Sequence, residues 1–307
     1  MRRAALATPF VLTLALAGCH TTPAATPVVL PVTQTVVAHV DDDDGDAAAY
    51  ANANLNAVLW MQASAEYDAA ALSVYNAAAA RLDAALADPA WDALAPGLRD
   101  DAAALATLPP AVIVDVDETV LDNSPFQARL VRDGGEYDEA TWAAWVDERA
   151  ARAVPGAVEF ARAASERGIT IAYVTNRTQA MQAATLDNLR ALGLPTGEGA
   201  VFLGKGAPGC EQAGSDKDCR RRQVAGRYRV LMLVGDQLGD FVEPAVDTPA
   251  GRQAALERHG GWFGERWWML PNPTYGGWEP AVFGNDWSLP PAARRAAKRA
   301  ALDTGAH

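Results

Sequence analysis

Short apolar runs rich in β-branched residues recur through the middle of the chain, at 111–116, 169–175, 200–203 and 229–236, with 267–270 as a fifth. Each is bounded by turn-forming or polar residues, which suits a strand buried on both faces. Between them the stretches 155–167, 178–192, 217–226 and 248–259 carry helical spacing. Apolar strands alternating with helices predict an α/β fold, a three-layer sandwich around a central parallel sheet. Upstream, residues 46–106 are Ala-rich with apolar positions at helical spacing, among them Leu55, Leu59, Leu72 and Leu82, which predicts helices added before the sheet. Trp60, Tyr67 and Tyr75 lie on these helices, as core or as the lining of a pocket. No internal repeat is visible.

The beginning of the chain has a different character. Arg2 and Arg3 precede an almost wholly apolar stretch from Ala4 to Ala17, too short to span a membrane comfortably. Leu16-Ala17-Gly18-Cys19 follows, with the small residues of a signal cleavage site. This resembles the lipobox of bacterial lipoproteins, which implies a signal peptide over 1–18 and lipidation at Cys19. The expected location is the cell envelope; His20 after the cysteine, rather than Asp, favours the outer membrane. Residues 19–46 read as a flexible tether rich in Thr, Pro, Ala and Val. The acid run 41–44 within it lacks the spaced ligands of a calcium loop and reads as solvated. The main domain is expected over 47–290 and a C-terminal helical tail over 291–307.

Three of the strands end in polar clusters: Asp115-Val116-Asp117-Glu118-Thr119, Thr175-Asn176-Arg177, and Gly235-Asp236-Gln237-Leu238-Gly239-Asp240. Ligands of open parallel sheets bind at the carboxyl ends of the strands. The three clusters therefore predict one crevice in which carboxylates, a hydroxyl, an amide and a guanidinium converge. A hard divalent cation is the natural way to hold several carboxylates together, and oxygen donors without His or Cys point to magnesium. The four histidines, at 20, 40, 259 and 307, fall outside all three clusters, which speaks against a histidine nucleophile or a Ser-His-Asp triad. If the first strand continued straight, Asp115 and Asp117 would share a face. One would attack phosphorus and the other would move protons. The formal charge of -12 argues against nucleic acid as a partner and leaves an anionic substrate to be met by a metal or a few placed cations.

The segment 115–122 resembles the first signature of the haloacid dehalogenase superfamily of phosphatases, 174–177 its second and 235–241 its fourth. Asp122-Asn123-Ser124-Pro125, Thr141-Trp142 with Trp145, and Met269-Leu270-Pro271-Asn272 before Tyr275-Gly276-Gly277-Trp278-Glu279 narrow the resemblance to bacterial lipoprotein acid phosphatases and 5′-nucleotidases. It covers roughly residues 50–285 and implies a small helical cap around 123–154. It also implies roles. Asp115 is the nucleophile and a metal ligand, and Asp117 the general acid/base, binding magnesium through its backbone carbonyl. Thr175 and Asn176 hold the phosphoryl group, Asp236 completes the metal shell with Asp240 beside it, and Tyr275 stacks on a nucleobase. Arg177 serves the substrate or pairs with the acids. The lysine signature fits Lys217, in Lys217-Asp218-Cys219-Arg220, better than Lys205 in Gly204-Lys205-Gly206.

The expected reaction is hydrolysis of small phosphomonoesters, nucleoside monophosphates among them, through an aspartyl phosphate. A binding lipoprotein on a non-catalytic phosphatase scaffold is the alternative; the intact Asp115 and Asp117 pair speaks against it. Cys210 and Cys219 remain after Cys19. In an oxidising envelope compartment they most simply form a disulfide. Zinc is the rival reading, without a nearby His or further Cys.

Overall fold

A computed structural model of the chain describes residues 54–99 and 105–305. The expected signal peptide, lipidation at Cys19 and tether with its acid run fall outside the described residues.

The Ala-rich region forms α1 (Leu55–Ala63) and α2 (Ala65–Ala87), broken at Ser64, whose hydroxyl accepts from the Tyr67 amide at 3.1 Å and so caps α2. Helix stops at Ala87, well short of 106, because Pro89 forces Asp88 into extended backbone (φ -92°, ψ 108°). The chain then runs irregularly along the sheet, where Trp91 Nε1 donates to Leu231 O at 2.7 Å.

The sheet holds β1 (Pro110–Val114), β4 (Thr170–Thr178), β5 (Ala200–Lys205), β6 (Arg229–Gly235) and β7 (Trp267–Met269), in the order β5-β4-β1-β6-β7. All its pairings are parallel. After β1 come β2 (Leu121–Asp122), α3 (Ser124–Asp133), α4 (Glu139–Glu148) and β3 (Arg152–Ala153), with β2 and β3 pairing antiparallel. The crossover helices are α5 (Ala157–Glu166), α6 (Gln182–Ala191), α7 (Asp218–Ala225) and α8 (Pro249–His259); α9 (Trp278–Ala281) and α10 (Pro291–Ala300) follow β7.

Alternation along the strands makes two cores. Val112, Val114, Ile171 and Tyr173 point to one, with Tyr75, Leu82, Phe160 and Leu189 from the helices above. Ile113, Ala172, Val174 and Leu233 point to the other, with Leu94, Val224, Phe241 and Trp267. This is the expected three-layer sandwich with helical additions at both ends. Tyr67 and Tyr75 are core residues, 2% and 1% exposed. Tyr75 also ties α2 to the site, because its hydroxyl donates to Thr119 O at 2.6 Å. Gly156 packs against it with φ 88°, where a Cβ would press within 2.9 Å of the Tyr75 Cβ.

Candidate active site

The three polar clusters do meet at the carboxyl edge of the sheet. Asp115 follows β1 directly, and its amide donates to Val234 O of β6 at 2.9 Å. Its carboxylate is buried and ion-paired with the Lys217 ammonium, which also lies 2.6 Å from Asp240 Oδ1. Thr119 Oγ1 donates toward Asp236 Oδ1 at 3.3 Å and stands 3.5 Å from Asp115 Oδ2. The second Asp236 oxygen accepts from Gln237 Nε2 (2.7 Å) and Asn272 Nδ2 (2.8 Å). Asp240 Oδ2 accepts from the Gln237 amide at 2.8 Å. That tight turn depends on Gly235, where a Cβ would collide with the Asp240 carboxyl.

Oxygens of Asp115, Asp236 and Asp240 lie within 4.8 Å of one another. Burial pushes Asp115 well above the ordinary carboxylate range, with Lys217 opposing and Asp240 adding to the shift. Burial and the neighbouring Asp240 push Asp236 up to about 7. Burial works against the Lys217 ammonium, but Asp115 and Asp240 outweigh it and hold its pKa above that of an ordinary lysine. One ammonium among three buried carboxylates leaves uncompensated negative charge, which a divalent cation relieves. The donor set fits such an ion.

The straight strand that would set Asp117 on the face of Asp115 stops before either residue. β1 ends at Val114, and the chain turns back through Glu118, whose φ of 53° lies in the left-handed region. Val120 and Leu121 amides both donate to Val116 O, closing the turn. The Asp117 carboxylate consequently faces Arg177 Nε (2.9 Å) and Asn123 Nδ2 (2.9 Å). Arg177 is buried, bonds Thr185 Oγ1 at 3.1 Å and lies over the Trp142 ring at 5.4 Å. Trp145 Nε1 fixes Asn123 from behind, at 2.9 Å.

Thr175 is fully buried on β4, where its hydroxyl accepts from the Arg177 amide at 3.1 Å. Asn176 is exposed, and its side-chain oxygen accepts from Arg220 Nη2 at 2.8 Å. β4 runs on through these residues to Thr178, past the expected end at 175, because Thr178 pairs with Lys205 of β5. Lys205 is exposed at the sheet edge, so Lys217 is the lysine at the acids. The Tyr275 hydroxyl is engaged by the buried Glu118 carboxylate, which also accepts from the Asn123 amide at 2.7 Å. Tyr275 thus anchors its loop to the turn after β1.

A disulfide joins Cys210 to Cys219, with Cα atoms 5.7 Å apart. It closes the connection between β5 and α7 that carries Lys217. Sequence reasoning assigned no roles to Thr119, Glu118, Asn123, Gln237, Asn272 or Arg220, although all lie inside the quoted motifs.

The family model of the HAD superfamily, subfamily IIIB (acid phosphatase), matches residues 25–278. A tungstate-bound class C acid phosphatase from Bacillus anthracis is 30% identical and superposes with a TM-score of 0.69, covering 83% of this chain and 98% of that one. The stem 28 kDa glycoprotein of Glycine max is 26% identical over 165 residues, 53% of this chain and 58% of that protein. Acid phosphatase 1 of Solanum lycopersicum is 23% identical over 163 residues, 53% of this chain and 57% of that protein. The chain spans little more than half the length of these curated relatives.

Proposed function

The chain belongs to subfamily IIIB of the HAD superfamily, the acid phosphatases, and on that premise we propose that it is a magnesium-dependent phosphomonoester hydrolase working through an aspartyl phosphate. The observation that carries this reading is the buried Asp115 carboxylate, paired with Lys217 and grouped with Asp236 and Asp240.

Asp115 attacks phosphorus and the bond to the ester oxygen breaks. Asp117 gives that oxygen its proton, so the alcohol leaves neutral. Asp117 then takes a proton from water as the water attacks phosphorus, which frees Asp115 and releases phosphate. Lys217 balances charge on the nucleophile and the phosphoryl oxygens, and Thr175 with Asn176 holds those oxygens. The carboxylates of Asp115 and Asp236 and the backbone carbonyl of Asp117, with Asp240 close by, would hold magnesium, which supplies further positive charge to the phosphoryl group. Arg177 orients Asp117 for its proton transfers.

Nucleoside 5′-monophosphates and related small phosphates are the proposed substrates, and lipidation at Cys19 would tether the enzyme to the bacterial envelope, at the outer membrane. The deciding experiment is phosphate release from a panel of phosphomonoesters, with and without magnesium. Metal-dependent release from nucleotides supports the proposal. No release from any ester under either condition refutes it in favour of a binding role.

A further inference from the structure

The family match ends at residue 278, and the chain continues into a basic helix. That helix, α10, carries Arg294, Arg295, Lys298 and Arg299. Arg294 and Lys298 are four residues apart and therefore share a face. They reach acids on two separate segments. Arg294 Nη2 donates to Glu136 at 2.8 and 3.1 Å, and the Lys298 ammonium pairs with Glu279.

Both acids are neighbours of the candidate active site. Glu136 lies between α3 and α4, next to Tyr137, whose ring is 6.4 Å from Trp142, the ring that covers Arg177. Glu279 follows the 275–277 turn, which Gln237 clasps through Tyr275 O (3.1 Å) and the Gly277 amide (3.2 Å). The lead-in to α10 is fixed too: Asn285 Nδ2 donates to Asp247 O at 2.7 Å, and Arg294 lies over the Trp287 ring at 5.2 Å. Beside the two anchor points, Tyr137 and Trp278 keep 58% and 45% of their surface exposed. Of the two ion pairs, Lys298–Glu279 is partly exposed and adds little to global stability, whereas the Arg294 side chain is largely buried. Their consequence is geometric, because one rigid helix face sets the separation of two loops that carry aromatic rings.

We propose that α10 is a strap joining the 134–138 segment to the 275–279 loop, and that Arg294 and Lys298 are positioning residues for the leaving group of an aromatic phosphomonoester. The proposal builds on the phosphatase reading: the phosphoryl group binds among Asp115, Lys217 and Asp236, while the strap holds the walls against which a planar organic group packs.

The test uses the full chain, the double variant Arg294→Ala/Lys298→Ala, and the exchanged pair Arg294→Glu/Glu136→Arg. With adenosine 5′-monophosphate the double variant should raise KM roughly tenfold and change kcat by less than about twofold. With glycerol phosphate, which has no ring, KM should stay within about twofold. The exchanged pair keeps the bridge and should hold KM for the nucleotide near wild type, while glycerol phosphate, equally anionic, separates packing of the ring from general attraction of anions. Amide hydrogen exchange should rise in both 134–142 and 271–279 of the double variant. An unchanged ratio of the two KM values, a raised nucleotide KM in the exchanged pair, or faster exchange confined to 286–300 would each overturn the strap. If the wild-type protein hydrolyses neither ester, the phosphatase reading fails and exchange alone decides the strap: a rise in both segments supports it, and anything less overturns it.

Discussion

The Arg177 guanidinium lies 2.8 Å from the Asp117 carboxylate, and its side chain is 1% exposed. Removing the guanidinium leaves the partly exposed Asp117 with Asn123 as its remaining side-chain partner, at a cost of about 1–3 kcal/mol for the lost charged contact. Arg177→Ala should therefore lower the melting temperature. It should also lower kcat by roughly 10- to 100-fold, because a general acid loses effect when its orientation is lost. Arg177→Lys should restore more stability than turnover, since an ammonium cannot reproduce the contacts to Asp117, Thr185 and Asn123 together. Equal recovery of both would remove Arg177 from the positioning of Asp117.

Asp115→Asn tests the nucleophile. The amide keeps the shape of the carboxyl but cannot attack phosphorus, so turnover should fall by at least about 10³-fold. The fold should persist, because Lys217 keeps Asp240 as a partner. Circular dichroism and phosphate release on the same sample check both statements. Activity within about tenfold of wild type would reject the assignment.

How much of this was legible beforehand varied with the residue. Strand runs such as 111–114 and 229–235 were visible because they are buried on both faces and so read as continuous apolar stretches. The acids were visible because they stand where those runs end. The turn that brings Asp117 to Arg177 and Asn123 was not, since it depends on the left-handed Glu118, a residue with no strong preference for that conformation. The extension of β4 through Asn176, Arg177 and Thr178 was hidden by their polarity; only pairing with Lys205 makes them strand. Lys205 ends β5 and Lys217 stands at the start of α7, and folding alone separates the exposed one from the buried one. Gln237, Asn272 and Tyr275 are joined by contacts that no local pattern encodes.

Asp236 gives a pH prediction for the metal-free protein. Its folded pKa of about 7 lies above the ordinary 3.8. Between those values the folded state binds more protons than the unfolded state, so this group makes stability rise as pH falls, through about 7 and toward 3.8. In a chelator the urea midpoint of the wild type, compared with Asp236→Asn, should gain on going from about pH 8 to about pH 5. Magnesium should shrink that gain, because the cation takes over the charge balance that protons supplied. A wild-type midpoint that instead gains toward alkaline pH relative to the variant would contradict the raised value.

The Cys210–Cys219 bridge should matter more to turnover than to folding. It closes a loop whose cysteines are nine residues apart, and Lys217 lies inside that loop, two residues before Cys219. Closing so short a loop stabilises a fold by about 2–3 kcal/mol in the chain-entropy account. The loop contributes little to either core, whereas Lys217 must hold its ammonium between Asp115 and Asp240. Without the bridge, positive-φ glycines at 206, 209 and 214 leave the segment many conformations in which the lysine is displaced. Cys210→Ser/Cys219→Ser should therefore lower kcat by roughly fivefold or more while shifting the melting temperature by only a few degrees, about 5 °C. The free Lys217 should also become more reactive toward amine-directed reagents, since its burial depends on the ordered loop. A large thermal shift with unchanged kcat would assign the bridge to folding alone, and unchanged reactivity of Lys217 would show that the loop holds the lysine without it.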